Sequence, residues 1–212
     1  MPGVAMAPLK RQASRPTLGA EPVVTIRSDV QRNRRELLQA AGELLRDAPE
    51  PLTLDAVARA AGLSRATAYR HFSSVEDLQT AYLLDVVLAL SDYSQRRSTN
   101  GPALFDEVLE QWGRLLARHG PAMVQLRSRR GFLERLRMGD PVITAVRDAW
   151  QRPIQELMAA HHTPADAFPQ ALMLCNILLD PREILDLRQS GQSMRETLAC
   201  LSRTYKAAIQ QL

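Results

Sequence analysis

The chain has 212 residues, of which 45% are hydrophobic and 24% charged, so it is long enough for a substantial core and too apolar for a disordered protein. Its net charge is +4, carried almost wholly by arginine because Lys10 and Lys206 are the only lysines. Aromatic residues are scarce at 5% and alternating β-branched runs are absent, so the fold class expected is all-α.

Two cysteines, Cys175 and Cys200, lie far apart within helical patterns and suggest neither a disulfide framework nor a zinc spacing. No stretch holds the eighteen or more apolar residues needed to span a bilayer, and the N-terminus lacks the apolar run of a signal peptide. The expectation is a cytoplasmic protein with no membrane contact, no metal and no cofactor.

Residues 1–27 contain Pro2, Pro8, Pro16 and Pro22 with Gly3, Gly19 and scattered basic residues, and are expected to form a disordered basic tail. A first helix is predicted from Ser28 or Asp29 to about Asp47, with Leu37, Leu38, Ala41, Leu44 and Leu45 as its apolar stripe and Pro49 and Pro51 beyond its end. Arg32, Arg34 and Arg35 near its start are candidates for phosphate contact or for a solvated face.

Residues 53–72, TLDAVARAAGLSRATAYRHF, are the organising stretch. Thr53 is placed to N-cap a short helix whose Leu54, Val57, Ala58 and Ala61 recur on one face, and Gly62 supplies a left-handed stop. Ser64 then caps a second short helix in which Ala68 and Phe72 point to the same small core. Arg65, Thr67, Tyr69 and His71 are left for solvent or a ligand. Two short helices joined by A-G-L-S read as a helix-turn-helix, and the second has the small residues and polar N-terminal end that entry into a major groove requires. Arg65 has the reach for guanine O6 and N7, Thr67 for a base methyl or a phosphate, and Tyr69 and His71 carry polar tips suited to phosphate. The helix starts at Thr53 and Ser64 add backbone N–H groups that favour phosphate, and Ala66 allows close approach. The candidate DNA-binding set is therefore Thr53, Ser64, Arg65, Ala66, Thr67, Tyr69 and His71. The plainer alternative is that two short helices and a glycine turn are simply part of a helical core.

After this unit, Ser74 caps a longer helix with Glu76 and Asp77 in its first turn, running through Leu78, Ala81, Tyr82, Val86, Leu88 and Leu90 towards Tyr93. Residues 96–102 break the pattern and mark the expected domain boundary.

Four or five further helices are predicted. One covers residues 104–119 and stops at Gly120-Pro121. A second covers 123–138 with an interruption at Gly131, and a third covers 141–161 with a kink at Pro153. Then come residues 165–179, a restart at Asp180-Pro181, and a last helix opened by the capping box Ser193 to Glu196 and ending near Gln211. His161 and His162 are adjacent, face different directions and make no metal site by themselves. No Gly-rich phosphate loop, G-x-S-x-G elbow or H-E-x-x-H motif is present, so an enzyme is not expected.

The register of Thr53, Ala58, Ala61-Gly62, Ser64, Thr67, Tyr69, Phe72, Ser74, Glu76 and Leu78 resembles the N-terminal domain of TetR/AcrR-type transcriptional regulators. One position departs: the family usually places a lysine at the start of the fourth helix, and Val75 stands here, so that phosphate contact is not carried over.

The resemblance implies domains at about 28–95, for DNA binding and the connecting helix, and 96–212, for dimerisation and effector binding. It also implies a homodimer on palindromic double-stranded DNA, released as a repressor when a small-molecule effector fills the C-terminal domain. The candidate dimer surface is the last two strongly apolar helices, with Leu172, Met173, Ile177, Leu178, Leu198, Leu201, Tyr205 and Ile209, some of which a plain reading assigns to the chain's own core. Trp112, Met123, Phe132, Trp150, Met158 and Phe168 are candidates for pocket walls or for core, and Arg127, Arg129 and Arg130 for an anion contact or a solvated face. The rival is a helical interaction module or small helical enzyme that uses the three-helix unit only as scaffold. The two readings separate on the steep salt dependence and palindrome preference of DNA binding.

Overall fold

In the computed structural model, the described residues are 22–47, 51–126 and 130–212, and among them every regular element is helical. The elements are α1 (Pro22–Asp47), α2 (Leu54–Ala60), α3 (Arg65–His71), α4 (Val75–Arg96), α5 (Gly101–Gln125), α6 (Phe132–Arg137), α7 (Pro141–Ala160), a 3-10 turn (Ala165–Ala167), α8 (Phe168–Leu178), α9 (Pro181–Gln189) and α10 (Met194–Ile209). Helix α1 starts at Pro22 rather than at Ser28. The rest of the expected tail, residues 1–21, lies outside the described residues.

The caps read from sequence form as local hydrogen bonds. Ser74 Oγ accepts from Asp77 N at 3.1 Å and Asp180 Oδ1 from Arg182 N at 2.9 Å. At the last helix Ser193 Oγ accepts from Glu196 N while the Glu196 carboxylate accepts from Ser193 N, closing the capping box.

One helix departs from expectation. Helix α5 runs unbroken through Gly120-Pro121, where a stop was expected. Gly120 is buried, and a Cβ there would stand 3.0 Å from Leu185 Cδ1, so this glycine serves close approach to α9 rather than a cap. The stretch expected over 123–138 with an interruption at Gly131 divides into the end of α5 and the separate short α6, which begins after Gly131 as expected.

One buried cluster extends from Leu37 of α1 to Ile209 of α10, so the apolar cores of the two expected domains are continuous. Helix α4 belongs to both. Near its start the Tyr82 ring lies against Gly42 of α1, and further along Val87 packs with Val142 and Ala145 of α7. The Tyr82 hydroxyl is 2.7 Å from His119 Nδ1 on α5, and Gln125 at the end of α5 donates to Leu45 O of α1 at 3.0 Å.

At its far end α4 is tied down. Arg152 of α7 donates to Arg97 O, Thr99 O and Asn100 Oδ1 at 2.8, 2.9 and 3.0 Å. Glu107 of α5 pairs with Arg97 at 2.6 Å and accepts from Thr99 at 2.8 Å, and Glu156 accepts from Gly101 N at 3.1 Å. Residues 97–100, expected as a domain boundary, are a clamped corner.

A Cβ at Gly42 would fall 2.7 Å from Cε2 of the rigid Tyr82 ring. Helix propensity alone favours alanine there by about 1 kcal/mol, whereas overpacking costs about 1–3 kcal/mol. Gly42→Ala is therefore expected to lower the urea midpoint by roughly 1 kcal/mol of stability; a midpoint that rises would show that α1 and α4 have room to part.

Candidate nucleic-acid interface and internal cavity

Thr53 is in an extended conformation and its Oγ1 accepts from Ala56 N at 3.1 Å, which starts α2. Leu54, Val57 and Ala58 are buried and fix that helix to the core. Its end is a Schellman turn: Gly62 has φ +67, Gly62 N donates to Arg59 O at 3.1 Å, and Leu63 N donates to Ala58 O at 2.9 Å. Ser64 then caps α3, its Oγ accepting from Thr67 N at 3.1 Å and lying 2.8 Å from Thr67 Oγ1.

The inward face of α3 consists of Ala68 and Phe72, 0% and 1% exposed. Because side chains four apart share a helix face, anchoring these two turns Arg65, Ala66, Tyr69 and Arg70 to solvent. Tyr69 is 51% exposed on that outward face.

The candidate residues thus fall into two groups. Arg65, Ala66 and Tyr69 stand on one exposed face, with Thr53 and Ser64 exposed beside it. Thr67 and His71 are half-buried, and the hydroxyls of Thr53, Ser64 and Thr67 are engaged in capping. Burial, together with the nearby charges of Arg34 and Arg70, holds the His71 imidazole below its ordinary pKa.

The arginines of α1 are also differentiated. Arg32 pairs with Asp29 at 3.2 Å and lies 3.7 Å from Glu36, while Arg34 stacks its guanidinium 4.9 Å from the Phe72 ring centre. Arg35 borders a cleft between α1, α4 and α5 whose floor includes Tyr82 and His119.

Sequence reasoning missed one contact. Arg65 Nε lies 2.8 Å from Asp55 Oδ1, across the turn from α3 to α2, as an ion pair lacking hydrogen-bond geometry. Neither residue belongs to a repeating pattern, and only the angle between the two helices brings them together.

Behind α4 is a cavity of about 150 Å³. Its walls include Leu83 and Val87 of α4, Trp112 and Met123 of α5, Phe132 of α6 and Trp150 of α7, with Cys175 and Asn176 of α8 and Arg182 of α9 closing it. Four of the six predicted wall residues therefore meet, while Met158 is in the core and Phe168 is half-buried elsewhere. Arg130 also lines the cavity, and Arg127 and Arg129 lie outside the described residues. The Trp112 indole donates to Leu179 O at 3.1 Å, which locks that wall. Burial pushes the Cys175 thiol far up, so it acts as an apolar wall rather than a nucleophile.

Among the described residues no group of three or more potential metal ligands occurs, and no helix is long and apolar enough to cross a membrane.

Residues 37–82 match the profile of bacterial regulatory proteins of the tetR family. No curated protein matches the chain. Among solved structures, a tetR-family transcriptional regulator from Streptomyces coelicolor aligns at TM-score 0.60 and 20% identity over 84% of this chain and 80% of the other. The TetR-like regulator LfrR of Mycobacterium smegmatis, solved with proflavine, aligns at 0.58 and 22% identity over 82% and 94%. A TetR regulator from Rhodococcus sp. RHA1 aligns at 0.58 and 21% identity over 84% and 96%. At these identities the structural likeness establishes the fold.

The His71 shift has a measurable consequence. A lowered pKa means that the ring is neutral at pH 7 and takes up its proton only below the ordinary value of 6.5, so its NMR titration midpoint is expected below 6.5. A midpoint at or above 6.5 would mean that the ring is freer of Phe72, Arg34 and Arg70 than described.

Proposed function

From residues 37–82, which belong to the tetR family of bacterial regulatory proteins, and a chain with the TetR-regulator fold, we propose a homodimeric repressor that reads palindromic DNA and is released by a small apolar effector. It acts in the cytoplasm, where the bacterial genome lies. The observation that carries DNA reading is the outward face of α3: Arg65, Ala66 and Tyr69 project from a helix whose other face is sealed by Ala68 and Phe72. In this reading Arg65 contacts a base edge, Ala66 permits close approach, and Tyr69 and the edge of His71 contact phosphate. Thr53, Ser64 and Thr67 place the backbone rather than reading sequence.

A single short recognition helix makes too few base contacts for useful specificity, and a two-fold pair doubles them. The surface best suited to that pairing is the outer side of α8, α9 and α10, where Ile177 is 54% and Leu187 37% exposed next to Leu178 and Leu201. Of the eight residues first considered, Leu172, Leu198, Tyr205 and Ile209 instead fill the chain's own core, and Tyr205 donates from there to Ala171 O at 2.8 Å.

The cavity behind α4 is the proposed effector site. A volume of about 150 Å³ with mostly apolar walls accommodates a body about the size of benzene. A larger effector has to part α4 from α7. Because α4 is clamped at residues 97–100, that displacement is expressed at its other end, where Tyr82 meets α1 and α5 and the reading head begins. An effector that favours the parted arrangement shifts the population towards dimers whose two α3 helices no longer match successive grooves.

Arg65→Ala is expected to lower discrimination at one base pair by about 1–3 kcal/mol, whereas Tyr69→Phe weakens all duplexes alike. Anisotropy titrations on operator and altered duplexes distinguish the two, and parent-like binding by both variants would put the reading surface elsewhere. Both tryptophans of the chain line the cavity, so an effector that releases DNA is expected to change the intrinsic fluorescence. Release with unchanged emission would move the effector site out of this cavity. Sedimentation at micromolar concentration is expected to give a dimer, and a clean monomer would remove the symmetric reading.

A further inference from the structure

Asp55 is the second residue of α2 and Arg65 the first of α3, and their 2.8 Å contact uses the guanidinium's inner nitrogen, Nε. The other two, Nη1 and Nη2, have no partner among the described residues, and the Arg65 side chain is 71% exposed. A guanine offers O6 and N7 as a two-point acceptor, which a guanidinium meets with two parallel N–H groups. With Nε set against the carboxylate as an ion pair, the edge facing away from Asp55 for that fork is Nη1 with Nη2. Asp55 is a fixed anchor for this purpose, since its neighbours Leu54 and Val57 are 2% and 0% exposed and its own carboxylate sits in the first turn of α2, where the helix dipole favours it.

The geometry points to Asp55 as a positioning residue that presents Arg65 to a guanine and thereby sets sequence specificity. This rests on the assignment of Arg65 as a base reader. A mobile arginine loses side-chain freedom when it docks on a base, and one already held by a carboxylate loses less. The same carboxylate lies close to where the phosphate ribbons would pass, so it repels every duplex equally. Asp55 therefore opposes general affinity while supporting discrimination. Its contribution to folding is small, because an ion pair whose arginine stands in solvent adds little to stability.

The test uses the full chain, the palindrome recovered by selection from a genomic DNA pool, and duplexes in which each half-site guanine is changed in turn. The parent is expected to reject one such change by roughly 5- to 150-fold, the range for a bidentate arginine–guanine pair, and Arg65→Ala to lose that preference. Asp55→Ala is expected to lose most of the same ratio while binding unrelated duplex as tightly as the parent or tighter, with little change in Tm. Asp55→Asn keeps the side chain's shape without its charge and is expected to lose most of the ratio as well. In the Arg65→Ala background, Asp55→Ala is expected to leave the ratio where it was.

A full ratio in Asp55→Ala overturns the inference, as does uniform weakening on all duplexes, which marks a merely structural role. A ratio that rises instead would mean that Asp55 withholds Arg65 from DNA. A parent that rejects no guanine change, or an Arg65→Ala variant that rejects it as strongly, refutes base reading by Arg65 itself.

Discussion

Helix α4 has to satisfy two packing environments at once, and the arrangement of the other helices follows from how it does so. Tyr82 fits where α1 has only Gly42, and its hydroxyl completes a hydrogen bond with His119 of α5. About a turn and a half further on, Val87 faces Val142 and Ala145 of α7. A side chain at either contact cannot move without disturbing a packed neighbour, because protein interiors have little free volume to absorb a displacement. Helices α1 to α3 and the helical body are therefore mechanically joined, even though their sequences look like separate units.

The clamp at residues 97–100 gives that junction a direction. Arg152 and Glu156 of α7 bind oxygens and an amide of the corner, and Glu107 holds it from α5. One end of α4 is thus anchored by charge-assisted hydrogen bonds, and the proposed effector response would be expressed at the other end. There burial, with Arg118 and Arg46 nearby, lowers the pKa of His119 against an opposing influence from Asp85, so the imidazole facing Tyr82 is neutral at pH 7.

The outward surface of α3 is held in place by little material. Ala68 and Phe72 seal one side, burial of Phe72 alone being worth about 1.5–3 kcal/mol, and Arg34 lies over the same ring. The stability of the helix is supplied from beneath, which leaves Arg65 and Tyr69 free of structural duty. Asp55 adds a contact to Arg65 from the first turn of α2, where the helix dipole already favours its charge.

The sequence by itself determined the elements whose causes are local. The caps at Thr53, Ser64, Ser74 and Ser193, the left-handed stop at Gly62 and the inward pair Ala68 and Phe72 each depend on residues within about a helical turn or two, so they are legible in order along the chain. Local rules failed where distant packing outweighed them. Gly120-Pro121 has the form of a helix stop, yet α5 continues through it because Gly120 lies against Leu185 of α9. Residues 97–100 break the helical pattern as expected, and their hydrogen bonds to a side chain more than fifty residues away are not legible locally. The division of the apolar residues of α8 and α10 between core and surface, the meeting of Trp112 with Trp150, and the pairing of Asp55 with Arg65 were decided only by tertiary structure. Each depends on the relative placement of separate helices, which the periodicity of any one helix does not encode.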